Sequence, residues 1–196
     1  EVRGPLAGIR GAAQLLGEQL SGQTLKEYAS VIVREVDRLS GIVANLIHLS
    51  PRRGLTISEF DIHELLDDVL LLLQKDSRQA GVRVARTYDP SIPAFLGDQE
   101  KLTQVFLNLV RNAVESMEGG GELKILTRVS HDYHYASSRG ENRPVPMLLV
   151  EIHDTGKGMD EDEQKRLLTP FFTTKPGGTG LGLTISHGIV QEHGGI

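Results

Sequence analysis

The chain has 196 residues, 39% hydrophobic and 24% charged, with a formal net charge of −5, enough apolar material for one substantial core plus a smaller module. It contains no cysteine, no tryptophan and only 5% aromatics, which excludes disulfides, thiolate metal sites and cysteine nucleophiles, and its mild acidity without a basic stripe argues against a nucleic-acid partner. No apolar run approaches the roughly 20 residues that span a bilayer, and the start carries no signal-like pattern, so the segment reads as soluble and cytoplasmic, without membrane contact of its own, whatever anchors a parent chain.

The chain opens inside a helical pattern that has no cap. Leu6, Ile9, Ala13, Leu16 and Leu20 are spaced 3-4-3-4 and make one stripe on a helix, which Ser21-Gly22-Gln23 ends. A second helix is expected from about Thr24 to Leu49, with Ile32, Val36, Leu39, Val43 and Leu46 in the same rhythm and Val31, Ile42 and Ile47 as further apolar positions. Two antiparallel helices have too little mutual surface to bury all of these, so the pattern predicts a homodimer that closes a four-helix bundle; a hairpin packed on its own domain is the alternative. Residues 1–50 thus form one module and 51–55, starting Pro51-Arg52-Arg53-Gly54, a linker.

Residues 56–196 read as a second domain. Thr56 to Ile62 alternates like a strand, His63 to Ala80 like a helix ended by Gly81, and Val82-Arg83-Val84 begins another strand before Tyr88-Asp89-Pro90 turns the chain. The carboxylates Glu64, Asp67 and Asp68 beside His63 fall in the first turns of that helix, where they stabilise it without any metal. Asp98 caps a long helix to about Met117 with Leu102, Val105, Phe106, Leu109 and Ala113 toward the core. On it Asn108 and Asn112 stand four apart and project from one face; asparagine is a poor helix former, so its double use there asks for a reason beyond solvent exposure. An amide oxygen is a hard ligand suited to Mg²⁺.

Glu122 to Val129 reads as a strand, and Ser130 to Pro144 as a long polar hairpin loop carrying His131 and His134. The apolar run Met147 to Ile152 reads as a buried strand, leaving the Asp154 carboxylate at a strand end, in Asp154-Thr155-Gly156-Lys157-Gly158, where it can accept a hydrogen bond from a ligand. A short helix from Asp160 to Leu168 follows, then Pro170-Phe171-Phe172-Thr173-Thr174-Lys175 and a Pro176-Gly177-Gly178 hinge. Gly177-Gly178-Thr179-Gly180-Leu181-Gly182-Leu183 runs into a helix with Leu183, Ile185, Ile189 and Val190 apolar, presenting bare N–H groups at a helix N-terminus, an anion cradle. A carboxylate and a phosphate cradle at this separation suggest a nucleotide. The chain stops at His193-Gly194-Gly195-Ile196, where another strand is expected, so both ends read as cut.

Asn108-Leu109-Val110-Arg111-Asn112-Ala113, the Asp154 turn, the Phe171 segment and the glycine-rich stretch resemble, in order, the N, G1, F and G2 boxes of the histidine-kinase ATP-binding domain, in the wider family that includes gyrase, Hsp90 and MutL. Glu1-Val2-Arg3-Gly4-Pro5-Leu6 is similar to the H box of these kinases, with the phosphoacceptor histidine falling one position before Glu1, and Gly8 to Leu16 resembles nitrogen-regulation sensor kinases of the NtrB type. The resemblance implies an α+β chain: the helical hairpin of a dimeric four-helix bundle, then an α/β sandwich of the Bergerat (GHKL) type with a mixed, mainly antiparallel sheet. It also implies ATP-dependent autophosphorylation of that histidine, then transfer to an aspartate on the receiver domain of a response regulator, with a σ54-activator type as the nitrogen-type expectation.

Residue by residue, the resemblance gives Glu1 the role of orienting the acceptor imidazole, with a solvated first-turn glutamate as the alternative. Asn112 holds Mg²⁺, Asn108 supports the nucleotide, Asp154 reads the adenine amino group, and Gly156 and Gly158 belong to the same nucleotide site. Thr174 and Lys175 stand in the lid, and the backbone of Gly178, Thr179, Gly180, Leu181 and Gly182 holds phosphates. Arg111, like Glu115, faces either phosphate or solvent. Hydrolytic relatives place a glutamate where Asn108 stands, and an amide cannot act as that base, so transfer to a protein nucleophile is expected over the ATPase clamp, the competing enzyme reading. A degenerate kinase serving as a dimeric nucleotide-sensing scaffold is the non-enzymatic one. Gly4 lies four residues after the histidine, where kinases that also act as phosphatases usually carry Asn or Thr, and weak phosphatase activity is expected.

Overall fold

A computed structural model of the chain describes residues 3–19, 25–33, 35, 36, 39, 54–131, 134–136, 142–144, 146–175 and 178–196. These fall into two compact units, one of residues 1–54 with 165–188 and one of 55–164 with 189–196. The grouping differs from the blocks that the sequence outlines, because 165–188 goes with the N-terminal stretch.

In the first unit, helix α1 spans Arg3–Gln19 and helical residues 25–33 form α2, with residues 35, 36 and 39 also helical. The expected stripes are only half covered. Leu6, Ala13 and Val36 of the stripes are buried, as is Ala29 outside them, whereas Ile9 (50%), Leu16 (53%), Ile32 (44%) and Leu39 (42%) stay exposed. Glu1, Leu20, Val43, Leu46 and most of the linker lie outside the described residues.

The second unit is built on a three-stranded sheet. Strand β2 (Val82–Thr87) pairs parallel with β4 (Gly121–Ser130), which pairs antiparallel with β7 (Met147–Asp154). Along β4, Leu123, Ile125 and Thr127 are buried while Lys124 and Arg128 are exposed, the period of two expected of a sheet with one covered face. Helices α3 (Ile62–Leu72) and α5 (Gln99–Ser116) pack against each other, and Ile62, Leu65, Leu66, Val69, Val105, Val110 and Met117 supply the core with Leu123 and Ile125. Strands β1 (Ser58–Phe60) and β3 (Phe95–Gly97) form a separate antiparallel pair, with Phe60 and Phe95 edge to face at 5.8 Å.

Several expectations need correction. The strand expected from Thr56 shrinks to β1 because Asp61 leaves it to cap α3, accepting the His63 N–H at 2.7 Å. The helix expected from His63 to Ala80 breaks at Leu73 (φ −94°, ψ 6°), and α4 covers Gln74–Gln79. The break turns Leu73 inward and leaves Leu71 and Leu72 exposed, then Gly81 ends α4 at φ +72°. On α5 the fully buried position is Val110, with Leu109 half-buried. The polar stretch after β4 holds a ladder of its own, β5 (His134–Ala136) paired with β6 (Asn142–Pro144). Strand β7 is half-buried over Met147–Ile152 rather than buried, as an edge strand of the three-stranded sheet. Helix α6 (Glu161–Arg166) starts with a reciprocal capping box between Asp160 and Glu163, and α7 spans Gly182–Glu192.

Candidate functional site

In the second unit, α5 is fixed at its start by Asp98. The Asp98 carboxylate accepts the Lys101 N–H (3.1 Å) and the Thr56 N–H (2.9 Å), and its own N–H donates to His193 Nε2 (2.9 Å). His193 Nδ1 lies 2.7 Å from the Ile189 carbonyl and donates to it, so Nε2 is the acceptor nitrogen of a neutral imidazole. Lys101 Nζ also meets Glu192 Oε2 at 2.7 Å. Burial works to raise the Asp98 pKa, but the two N–H donors and the Lys101 ammonium outweigh it and hold the carboxyl below its ordinary value.

Downstream on α5, Asn108 and Asn112 are half-buried, one turn apart. The helix ends against the Asp154 turn. Register sets Asp154 opposite Leu123 at the end of β7, exposed, in a cleft of about 320 Å³ lined by Glu122, Lys124, Leu126, His153 and Thr155. Its Oδ1 accepts the Gly156 N–H at 2.9 Å and lies 3.0 Å from Ser116 Oγ. Thr155 Oγ1 accepts the Glu122 N–H at 3.0 Å and lies 3.7 Å from Met117 Sδ, and the Lys157 N–H reaches Ser116 O at 3.4 Å. Glycine is required at 156, since a Cβ there would run into Ser116 Oγ. Gly158 takes φ +69° with open space around it, and Lys157 is exposed. Arg111 and Glu115 line a smaller cleft of about 110 Å³ with Leu73, Asp76 and Val114, which includes none of Asn108, Asn112 or Asp154.

In the first unit, the Phe171 segment closes onto the glycine-rich stretch. The Phe171 N–H donates to Gly180 O at 2.9 Å, with Phe171 at φ +67° and Gly180 at φ +65°. A Cβ on Gly180 would run into the Phe171 carbonyl carbon. Arg166 stacks over the Phe172 ring at 4.2 Å, and the Thr184 hydroxyl donates to Leu168 O at 3.2 Å. Thr174 is exposed and Lys175 half-buried; the Lys175 N–H donates to Thr173 Oγ1 (3.2 Å) and the Gly178 N–H to Lys175 O (3.1 Å). The Leu181 N–H lies 3.5 Å from Thr179 Oγ1, Leu181 is fully buried, and α7 begins at Gly182 with no acidic residue in its first turn. Pro176 and Gly177 lie outside the described residues. No group of three or more His, Asp or Glu suited to a metal occurs among the described residues, and no helix there is long and apolar enough to cross a membrane.

Residue-type reasoning missed Ser116 and His193. A serine at the end of a helix gives no sign that a strand end will fold against it, and nothing in His193-Gly194-Gly195 marks the ring as the acceptor of the Asp98 N–H.

Family models match the chain twice: the histidine kinase-, DNA gyrase B- and HSP90-like ATPase over residues 97–196, and the His kinase A phospho-acceptor domain over residues 1–54. The sensory histidine kinase/phosphatase NtrB of Azospirillum brasilense is 39% identical over 100% of the chain and 49% of the relative, and that of Vibrio alginolyticus 36% identical over 100% and 54%. The chain therefore spans about half the length of these relatives. Among solved structures, full-length ShkA in complex with AMPPNP aligns over 98% of this chain and 39% of its own, at 25% identity and a TM-score of 0.77. Histidine kinase ThkA in complex with the response regulator TrrA aligns over 99% and 52%, at 28% identity and a TM-score of 0.67. With both domains matched in order and the whole chain aligned to NtrB, the chain belongs to the sensor histidine kinases as a phospho-acceptor segment followed by an ATP-binding domain of the Bergerat type.

Proposed function

We propose that this chain is the core of an ATP-dependent protein-histidine kinase. It takes the γ-phosphoryl group of ATP onto the histidine preceding Glu1 and passes it to an aspartate of a response-regulator receiver domain. The observation that carries the reading is the Asp154 carboxylate, held at the end of β7 by donors on Oδ1 alone, which leaves Oδ2 to accept from the 6-amino group of adenine. An exposed carboxylate with one oxygen fixed by the protein suits that task, and the N-terminus of α7, with no acidic side chain in its first turn, suits phosphate.

Asn112 would hold Mg²⁺ through its amide oxygen, with Asn108 beside it, and the ion would neutralise charge on the transferring phosphoryl group. Gly156 and Gly158 shape the turn that carries Asp154. Thr174, Lys175 and the backbone of Gly178, Thr179, Gly180, Leu181 and Gly182 would meet the phosphates. Arg111, exposed on α5, would meet the same nucleotide. At the hairpin, Glu1 would orient the acceptor imidazole. The exposed Ile9, Leu16, Ile32 and Leu39 support a homodimer, because a single chain leaves this stripe uncovered. The domains are taken as 1–50, a linker 51–55 and 56–196, the site of action as the cytoplasm, and the regulator as one of the σ54-activator type, in line with the NtrB relatives.

The test incubates the chain, carried one native residue further upstream, with γ-labelled ATP and Mg²⁺. Acid-labile, base-stable label that disappears when the upstream residue is changed supports the kinase. ADP binding with neither label nor free phosphate supports the scaffold reading instead, and free phosphate alone an ATPase. Asp154→Asn and Asn112→Ala should each weaken Mg-nucleotide binding severely, and near-normal affinity in both removes the site assignment. With Gly4 unable to orient a water, dephosphorylation of the phosphorylated regulator should be slow; rapid turnover by the unaltered protein contradicts this.

A further inference from the structure

The Ser116 hydroxyl carries one hydrogen against two acceptors, Ala113 O at 2.7 Å and Asp154 Oδ1 at 3.0 Å. The first contact, back to a carbonyl one turn earlier, is the common fate of a serine in a helix. Giving the hydrogen to Ala113 would set the Ser116 lone pairs against an anionic oxygen at 3.0 Å, whereas giving it to Asp154 makes a charge-assisted bond, the stronger of the two. The carboxylate therefore takes it. The Gly156 N–H donates to the same oxygen at 2.9 Å, so two donors converge on Oδ1 and fix the plane of the carboxylate, while Oδ2 has no protein donor among the described residues.

Two further contacts make the arrangement specific to residue 116. The Lys157 N–H reaches Ser116 O at 3.4 Å, so the residue holds the turn through its backbone as well as its side chain. A Cβ on Gly156 would run into Ser116 Oγ, so the hydroxyl occupies the space that the missing side chain leaves. Ser116 also ends the helix that bears Asn108 and Asn112.

We infer that Ser116 is a positioning residue that sets base specificity: its hydroxyl holds Asp154 so that Oδ2 alone faces the base, selecting a 6-amino purine over a 6-oxo purine. This rests on the reading of Asp154 as the adenine acceptor. A 6-amino group donates to Oδ2, whereas a 6-oxo group sets oxygen against oxygen. With the carboxylate fixed the difference is felt in full; with it free to rotate, the difference shrinks.

The experiment measures ADP and IDP affinities by calorimetry for the unaltered chain, Ser116→Ala and Asp154→Asn. Ser116→Ala is expected to weaken ADP about tenfold, as loss of one hydrogen bond to a charged group implies, and to leave IDP within about twofold. Because the readout is a ratio taken on one folded protein, a general loss of stability does not move it. ADP affinity in Ser116→Ala within about twofold of the unaltered chain, or an equal fall for ADP and IDP, overturns the inference. The Asp154→Asn arm separates the two failures: near-normal ADP affinity there removes the adenine role of Asp154 itself, while a large loss there beside normal Ser116→Ala removes only the positioning role.

Discussion

Replacing Asp98 by alanine removes an acceptor shared by two parts of the second unit. The side chain, 6% exposed, caps α5 through the Lys101 N–H and accepts the Thr56 N–H on its other oxygen, while its backbone N–H meets His193. Loss of an N-cap costs about 1 kcal/mol, and stranding the Thr56 N–H costs roughly 1–3 kcal/mol more. The sum, about 2–4 kcal/mol, corresponds to a fall of roughly 5–10 °C in Tm for a domain of this size. Asp98→Asn keeps one acceptor and should lose about half as much. The sign with pH follows from the lowered carboxyl of Asp98, in which burial is outweighed by the N–H donors and Lys101. A depressed folded pKa stabilises above the unfolded value of about 3.9 and is lost as pH falls through the folded one. Urea melts of both proteins at neutral pH and below about pH 3 should therefore show a gap that narrows in acid. A Tm for Asp98→Ala within about 2 °C of the parent at neutral pH, or a gap that persists undiminished in acid, refutes the assignment.

Three more outcomes are expected. Gly156→Ala places a methyl group against Ser116 Oγ and 2.7 Å from Asp154 Oδ1, so ADP affinity should fall at least about tenfold while far-UV circular dichroism stays unchanged; retained affinity in a calorimetric titration counts against the turn as drawn. Gly180→Ala puts a side chain at φ +65° and against the Phe171 carbonyl, at a cost of about 1–3 kcal/mol, and should speed limited proteolysis between residues 169 and 181. Burial pushes the Tyr88 phenol up, reinforced by its 3.0 Å hydrogen bond to Asp67. Its stabilisation is then present below the unfolded value of about 10 and lost as pH rises through the folded one. An ultraviolet titration should show a late-ionising tyrosine, and Tyr88→Phe should abolish that late step.

How much of this was legible in the sequence depends on how local the cause is. Helix α5 could be read almost to the residue, because Asp98 caps it through contacts three residues away and its buried face repeats with the helical period. The break at Leu73 could not, since no Gly or Pro marks it, and only the structure shows Leu73 buried beside exposed Leu71 and Leu72. The same holds for Val110 over Leu109, neighbours on a helix whose roles depend on how the helix is rotated against the sheet. The ladder of β5 and β6 lies in a stretch whose polar sequence offers no apolar alternation to read. At the site, glycines and Asp154 stood out by type and order, whereas Ser116 acquires its role only when Leu123 sets the strand end beside the helix terminus.

The stretches proposed to read the base and to face the phosphates are built on different physical footings, and this should be measurable. Asp154 pairs across the sheet with Leu123 and its turn rests on Met117, both almost fully buried, so releasing it requires opening the core of the second unit. Among the described residues the stretch from Arg166 to Gly182 is held by contacts of short sequence span, Thr169 to Arg166, Lys175 to Thr173 and Gly178 to Lys175, together with the Phe171–Gly180 bond between residues of positive φ and the Thr184 hydroxyl on Leu168 O. Phe171 itself is 59% exposed and contributes little burial to hold that geometry. Opening free energies follow burial and contact density. In native-state hydrogen exchange the Ile125 and Ile152 amides should approach the global unfolding free energy, while those of Phe171, Lys175 and Gly178 should exchange through openings costing several kcal/mol less. Equal protection in the two sets would mean that the lid is supported by more than its own turns.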